Sequence, residues 1–170
     1  MSSYEDAIHI SKRAVAKPTE AQKEAGNYKK HKLSYRGMTI TIENPKGSKR
    51  SGKGGDGKVW SVTMPNHYGY VNGSEGHDGD HVDVYLGDTP SSETVYIVNQ
   101  VDAETGKFDE HKCMLGYSSR SSAESAYKRA FSDGKGKDRM GAVVEMPIAR
   151  FKDWVKSKDT KAPARPGYAG

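Results

Sequence analysis

The sequence predicts an α+β fold, mainly β: a small antiparallel OB-like barrel or strongly curved sheet with two or three helices packed outside. Three observations predict it. Through the first two thirds of the chain, apolar residues tend to alternate with polar ones, the period of a half-buried strand. From Ser121 onward the period lengthens to that of amphipathic helices. The order, strands first and then helix, strand, helix, suits one sheet with helices on its outside.

Residues 1–17 carry little pattern beyond Ala7, Ile8 and Ile10, which hint at a short helix. Pro18, Thr19 and Gln22 form a capping-box pattern for a short helix that stops at Gly26, and 27–32 is a basic bridge. Residues 1–30 are therefore read as an N-terminal extension before a β domain at 31–156. The run 33–42 is a hairpin turning at Arg36 and Gly37, with Met38, Ile40 and Ile42 alternating with Thr39 and Thr41. The run 43–58 is a Gly- and Lys-rich loop that offers Lys46, Lys49, Arg50 and Lys53 to phosphates, although it has no Gly-x-x-x-x-Gly-Lys-Ser/Thr motif. A strand at 59–64 ends at Pro65.

The next strand alternates Val82, Val84 and Leu86 with Asp83 and Tyr85. The β-branched run 94–101 is apolar on both faces in places, which makes it a central strand. A turn at 102–106 leads into a return strand at 108–115. Alternation places Asp109, His111 and Cys113 on one face and Phe108, Glu110, Lys112 and Met114 on the other. Ser121 and Glu124 make a second capping box, and Ala123, Ala126, Tyr127, Ala130 and Phe131 line one helix face. After a basic loop at 135–139 and a short strand at 142–146, Pro147 begins a last helix that buries Ile148, Phe151 and Val155. From Ser157 the composition turns to Lys, Pro, Ala and Gly, so 157–170 is read as a disordered tail.

With 170 residues the chain suits one domain, and a mean hydropathy of -0.87 leaves it a modest core. The single cysteine, Cys113, excludes an internal disulfide framework and fits a reducing compartment. No apolar run approaches the ~20 residues of a membrane span, and the N-terminus lacks a signal-peptide hydrophobic region. The expectation is a soluble cytoplasmic protein with no membrane partner. A net charge of +5 raises nucleic acid as a partner. It is disfavoured, because the basic stretches lie mostly in Gly-rich loops without interleaved aromatics and the centre of the chain is acidic. A basic rim around an acidic centre is instead what a metal-dependent phosphate site needs.

That centre is Asp78-Gly79-Asp80-His81-Val82-Asp83. Three carboxylates so close together are costly unless something positive holds them. Hard divalent cations, Mg2+ above all, are held by such oxygen clusters. Asp-Gly is also ordinary solvated turn chemistry. A helix-loop-helix calcium site is excluded, because the third acid falls at position six and begins a strand. Zinc on His77 and His81 is weaker still, with no Cys cluster beside them.

The stretch from Tyr68 to Val84 resembles the soluble inorganic pyrophosphatases of the Mg2+-dependent, barrel-forming family. That family carries Asn-Tyr-Gly-Tyr-Ile and then Asp-Gly-Asp-Pro-Val-Asp-Val. Here His67-Tyr68-Gly69-Tyr70-Val71 and Asp78-Gly79-Asp80-His81-Val82-Asp83-Val84 stand at the same separation. The resemblance covers roughly 38–146, and its Asp-rich part is the specific one. It implies a small-molecule diphosphate substrate, with Asp78, Asp80 and Asp83 holding metal or activating the attacking water and Tyr68 bordering the diphosphate. Asp102, then Asp109 or Glu110, then Lys112 match a second acidic turn and the acid and lysine that follow it. Tyr127 and Lys128 resemble a late Tyr-Lys pair, though Tyr127 reads equally as core. Three departures stand out. His81 replaces a proline, Thr41-Ile42-Glu43 keeps only the Glu43 of a Lys-x-Glu, and the phosphate-binding arginine has no aligned partner, with Arg50 or Lys46 as substitutes.

The resemblance thus implies Mg2+-dependent hydrolysis of a phosphoanhydride, inorganic pyrophosphate first, with Mn2+ able to replace Mg2+. Asp80, Asp83 and Tyr68 would be catalytic. Asp78, Asp80, Asp83, Asp102, Asp109 and Glu110 would hold metal, and Lys46, Arg50, Lys112, Tyr127 and Lys128 would hold phosphate. The nearest likeness is to divergent pyrophosphatase-like domains of phage and mobile-element proteins, which implies a host cytoplasm. The alternative is a catalytically weakened binding or counter-defence protein on the same fold. The missing lysine and arginine favour that alternative, and the surviving acids argue against it. The oligomeric state stays open, a homo-oligomer included.

Overall fold

In the computed structural model, which describes residues 2–4 and 31–165, the first hairpin turns at Arg36 and Gly37 as expected. Both have positive φ, 49° and 85°, the pair that a two-residue type I′ turn demands. The hairpin joins β2 (His31–Tyr35) to β3 (Met38–Asn44), so His31 and Lys32 belong to a strand and not to a bridge. β1 (Ser2–Ser3) runs parallel to β2, and the Tyr4 hydroxyl donates to the carbonyl oxygens of Gly87 and Leu115 at 2.6 and 3.1 Å. The helices expected at 7–10 and 18–26 lie outside the described residues.

β3 pairs with β6 (His67–Val71), and β6 with β7 (Asp83–Leu86). β9 (Phe108–Leu115) inserts between β7, to which it is parallel, and β8 (Thr94–Val101), and β10 (Met140–Pro147) closes the series beyond β8. The result is an eight-stranded sheet in the order β1-β2-β3-β6-β7-β9-β8-β10. Of the two expected forms it is the open sheet, and it is mixed where a wholly antiparallel one was expected. β6 has no counterpart among the expected elements. Four of its five residues are buried, so it shows no polar alternation. Gly69 in β6 lies so close to β3 that a Cβ there would sit 1.8 Å from the Thr41 carbonyl oxygen.

Both faces of the sheet are covered. On one, Ile40, Val84, Ile97, Cys113 and Leu115 pack with Phe151 and Trp154 of α3 (Ile148–Trp154), which begins after Pro147 as expected. On the other, Tyr68, Tyr85, Val98 and Met114 pack with Ala123, Ala126 and Tyr127 of α1 (Arg120–Arg129). Burying one such side chain is worth about 1.5–3 kcal/mol, so these two layers supply most of the drive to fold. The α1 cap begins at Ser119, earlier than expected. The Ser119 side chain accepts from the Ser122 N–H at 3.1 Å, and the Ser122 hydroxyl takes the return role expected of Glu124.

Three further expectations are corrected. The 43–58 run contains β4 (Lys49–Lys53), which pairs with β5 (Val59–Thr63) as a separate two-stranded sheet. The basic 135–139 run contains a short helix, α2 (Gly136–Arg139). Residues 157–165 are packed, not disordered, with a 3-10 turn at Lys158–Lys161. Asn99 and the backbone of Ala164 exchange two 2.9 Å hydrogen bonds, and the buried Thr160 hydroxyl donates to the Glu75 carbonyl oxygen at 2.6 Å. Low hydrophobicity concealed a segment held chiefly through its backbone. Residues 166–170 lie outside the described residues.

Candidate active site

The parallel pairing of β7 with β9 puts Asp83 directly beside Lys112. On the same face, one strand away, stands Tyr68 of β6. Lys112 is 5 % exposed, and its Nζ donates to Asp83 Oδ2 at 2.6 Å and to Tyr68 OH at 2.8 Å, and pairs with Glu110 Oε1 at 2.5 Å. Tyr68 OH in turn donates to Asp83 Oδ2 at 2.9 Å. Burial alone would lower the Lys112 pKa, but the facing Tyr68, Asp83 and Glu110 outweigh it and hold it well above its usual value. Burial pushes the Tyr68 hydroxyl up as well, so it remains a donor.

Glu110 is the unusual acid. Burial, together with the Asp83 charge and a hydrogen bond with Asp78, raises its pKa to about 7 against the pull of Lys112. Asp78, which burial would push the other way, is held low by that bond and by the backbone N–H of Asp80. A proton held between the two carboxyls therefore belongs to Glu110 rather than to Asp78.

A β-bulge brings Asp109 to the same place. Gln100 pairs with Glu110 and Val101 with Phe108, so Asp109 has no partner opposite. The extra residue reverses the alternation before it. Phe108 therefore lies against His77 and His111, at 5.0 and 4.9 Å between ring centres, and Asp109 faces the pocket beside Glu110. This corrects the expected faces of both residues. Gln100 then links two expected site residues, donating to Asp109 Oδ2 at 3.0 Å and accepting from Tyr127 OH at 2.8 Å.

The pocket over these groups has a volume of about 340 Å3. Asp102 lines it, held low by the backbone N–H groups of Thr105 and Glu104 that its side chain accepts. Arg50 reaches it from β4, with its guanidinium 4.8 Å from the Tyr68 ring centre and 5.4 Å from that of Trp60.

Other expected residues stand apart. Asp80 and Lys128 are exposed and do not line the pocket, and Glu43 is exposed at a bulge in β3. Lys46 lies at a different cleft, with Asp88. Among the described residues, no three His, Cys, Asp or Glu side chains converge as they stand to hold one ion. The chemistry of the donor set nevertheless suits a hard divalent cation: Asp78, Asp83, Asp109 and Glu110 present only oxygen, a hydrogen bond joins Asp78 to Glu110, and the Lys112 ammonium joins Glu110 to Asp83.

Residue-by-residue reading missed Arg139, Gln100 and Trp60. Arg139 lines the pocket, paired to both oxygens of Asp133 at 3.0 and 2.8 Å and set 4.8 Å from the Phe131 ring centre. Nothing in the Gly-rich run around it separates it from other surface cations. The alternation that marks 59–64 as a strand gave no sign that Trp60 would pack on Arg50.

The family model described as Inorganic Pyrophosphatase matches residues 20–156. Among solved structures, an inorganic phosphatase from Anaplasma phagocytophilum matches with a TM-score of 0.43 and 18% identity, covering 72% of this chain and 91% of that one. An inorganic pyrophosphatase from Coxiella burnetii gives 0.38 and 16% over 69% and 89%. One from Neisseria gonorrhoeae gives 0.37 and 17% over 69% and 87%. No curated protein matches the chain. No helix among the described residues is long and apolar enough to cross a membrane.

Proposed function

The chain belongs to the inorganic pyrophosphatase family, a family of metal-dependent hydrolases, and from that premise we propose that it splits inorganic pyrophosphate into two phosphates with Mg2+, or Mn2+ in its place. The observation that carries the reading is the buried Lys112 ammonium on the pocket floor, bracketed by Asp83, Glu110 and Tyr68.

Asp78, Asp83 and Glu110 would hold the metal, with Asp109 and Asp102 around them, while Asp80 would act only through its backbone N–H on Asp78. A bound divalent cation supplies charge neutralisation to the diphosphate and lowers the pKa of water. The protein's own groups do the rest. Asp83 accepts the proton of the attacking water as the oxygen bonds to one phosphorus. The bridging P–O bond breaks, and its electron pair leaves with the second phosphate. Lys112, Arg50 and Arg139 balance the charge on the two phosphates. Tyr68 donates a hydrogen bond to a phosphate oxygen, Tyr127 steadies Asp109 through Gln100, and the departing phosphate takes its proton from solvent. Lys46 and Lys128, placed elsewhere, have no part in these steps.

The test is phosphate release from pyrophosphate, with and without Mg2+, by the native chain and by Asp83→Asn. Release should require the metal and fall by roughly 100-fold or more in the variant. Equal release by both chains would sink the mechanism, and no release by the native chain would sink the assignment of substrate.

A further inference from the structure

We propose a second anion site in the cleft between α1 and the C-terminal end of β7, built to take inorganic phosphate. The cleft has a volume of about 350 Å3 and shares no lining residue with the pocket over Lys112.

Its recognition groups come from three places. Asn66, 6 % exposed, stands at the entry to β6. Its Oδ1 accepts from Tyr117 OH at 2.9 Å, and its Nδ2 has no hydrogen-bond partner among the described residues and opens into the cleft. Burial pushes the Tyr117 hydroxyl well up, so it remains a donor and keeps the Asn66 amide turned that way. The amide is thus a donor held in place and turned toward the cleft, free to meet an oxyanion there.

Along α1, Ser122, Ala126 and Arg129 follow at i, i+4 and i+7, one face of the helix. The small side chains at the first two positions leave the groove open, and Arg129 closes its far end with no ion-pair partner among the described residues. The third contribution is Lys46, whose backbone N–H donates to His67 Nδ1 at 3.0 Å and so stands next to Asn66.

Asp88 also lines the cleft and is the one opposing charge. Its contact with Lys46 is long, 3.4 Å, with both side chains about half exposed or more. Such a pair is weak and solvent-screened, so a phosphate can displace Asp88 from Lys46. Lys46 and Arg129 against Asp88 leave the cleft positive. Two cations with a neutral amide donor between them match a tetrahedral oxyanion, which accepts on every oxygen.

Inorganic phosphate should be titrated into the 15N-labelled full chain at constant ionic strength, with sodium chloride as the control. The Asn66 side-chain NH2 and the Ser122 N–H should shift in a saturable way. Their apparent affinity should fall by at least about tenfold, the size of one lost charge-assisted contact, in Arg129→Gln and in Lys46→Gln, and it should tighten in Asp88→Asn. Signals of Arg50 and Arg139 should respond in all of these chains. If the Asn66 shift persists unchanged in Arg129→Gln, or if phosphate moves only the Arg50 and Arg139 signals, the second site does not exist. Pyrophosphate turnover measured alongside separates the two readings. A native chain that turns over nothing but keeps an Arg129-dependent Asn66 shift refutes the proposed function and supports this site.

Discussion

His111 shows how one side chain can make stability depend on pH. It packs between Phe108 and Trp154, its Nε2 donates to the Ala162 carbonyl oxygen at 2.9 Å, and its buried Nδ1 has no partner among the described residues. Protonation would therefore bury a charge, and burial pushes the imidazole down to about 4. Unfolded, it takes up its proton near the ordinary value of about 6.5. Between those two values the unfolded chain binds more protons, so stability falls as pH falls through that window. At about 1.4 kcal/mol per unit, the loss from pH 6.5 to 5 is about 2 kcal/mol. Urea unfolding at pH 7 and pH 5 should show the native chain losing that much more than His111→Phe, and equal losses would discount the residue. That His111 and Cys113 share a face followed from alternation along their strand. The partner at Ala162 did not, because it lies 51 residues away in a stretch with no periodic pattern.

At the scale of elements, the β4–β5 hairpin is a small sheet of its own that delivers Arg50 to the pocket. Trp60 lies on Gly52 of the facing strand, where an added Cβ would come within 2.7 Å of the indole. Gly52→Val should push the indole away and release Arg50 from its place between Trp60 and Tyr68. A cation–π contact of this kind is worth about 1 kcal/mol. The KM for pyrophosphate should therefore rise roughly fivefold with kcat nearly unchanged, and global stability should stay within about 1 kcal/mol. Steady-state kinetics and urea unfolding check both parts, and a lost kcat at constant KM would contradict the positioning role. Of this element β5 was legible as the strand at 59–64, but β4 was not, because Lys, Ser and Gly dominate its composition. The bulge in β9 was hidden for a different reason: alternation reads a strand correctly only while the register holds, and nothing local to Asp109 announces the slip.

The whole molecule is a sheet covered on both faces and strapped at one end. That helices pack on a sheet was legible from side-chain periods, and the Asp-rich turn with its following strand was legible from spacing. Convergence of Asp83, Lys112 and Tyr68 depends on strand order, which short-range patterns do not encode. The strap at 157–165 crosses from Asn99 to Glu75, and Lys161 reaches the Gly76 carbonyl oxygen at 2.8 Å, two residues before Asp78. A chain shortened to end at Ser157 loses the Asn99 pair, the Thr160 bond and the His111 partner. At about 1 kcal/mol per buried hydrogen bond, that amounts to roughly 3–5 kcal/mol. Denaturant midpoints should show it, and turnover should fall with it as the acidic turn loosens. An undiminished midpoint would mean that the strap is not needed to hold the body together.

The close approach at Gly69 also reaches into heredity. Every amino acid that a single base change in a glycine codon can produce carries a Cβ, and at this position that atom would collide with the Thr41 carbonyl oxygen. No intermediate step is available by which the codon could wander and return. A population of genes encoding this chain should therefore show synonymous change at position 69 and almost nothing else, even where the lysines of the neighbouring hairpin vary freely.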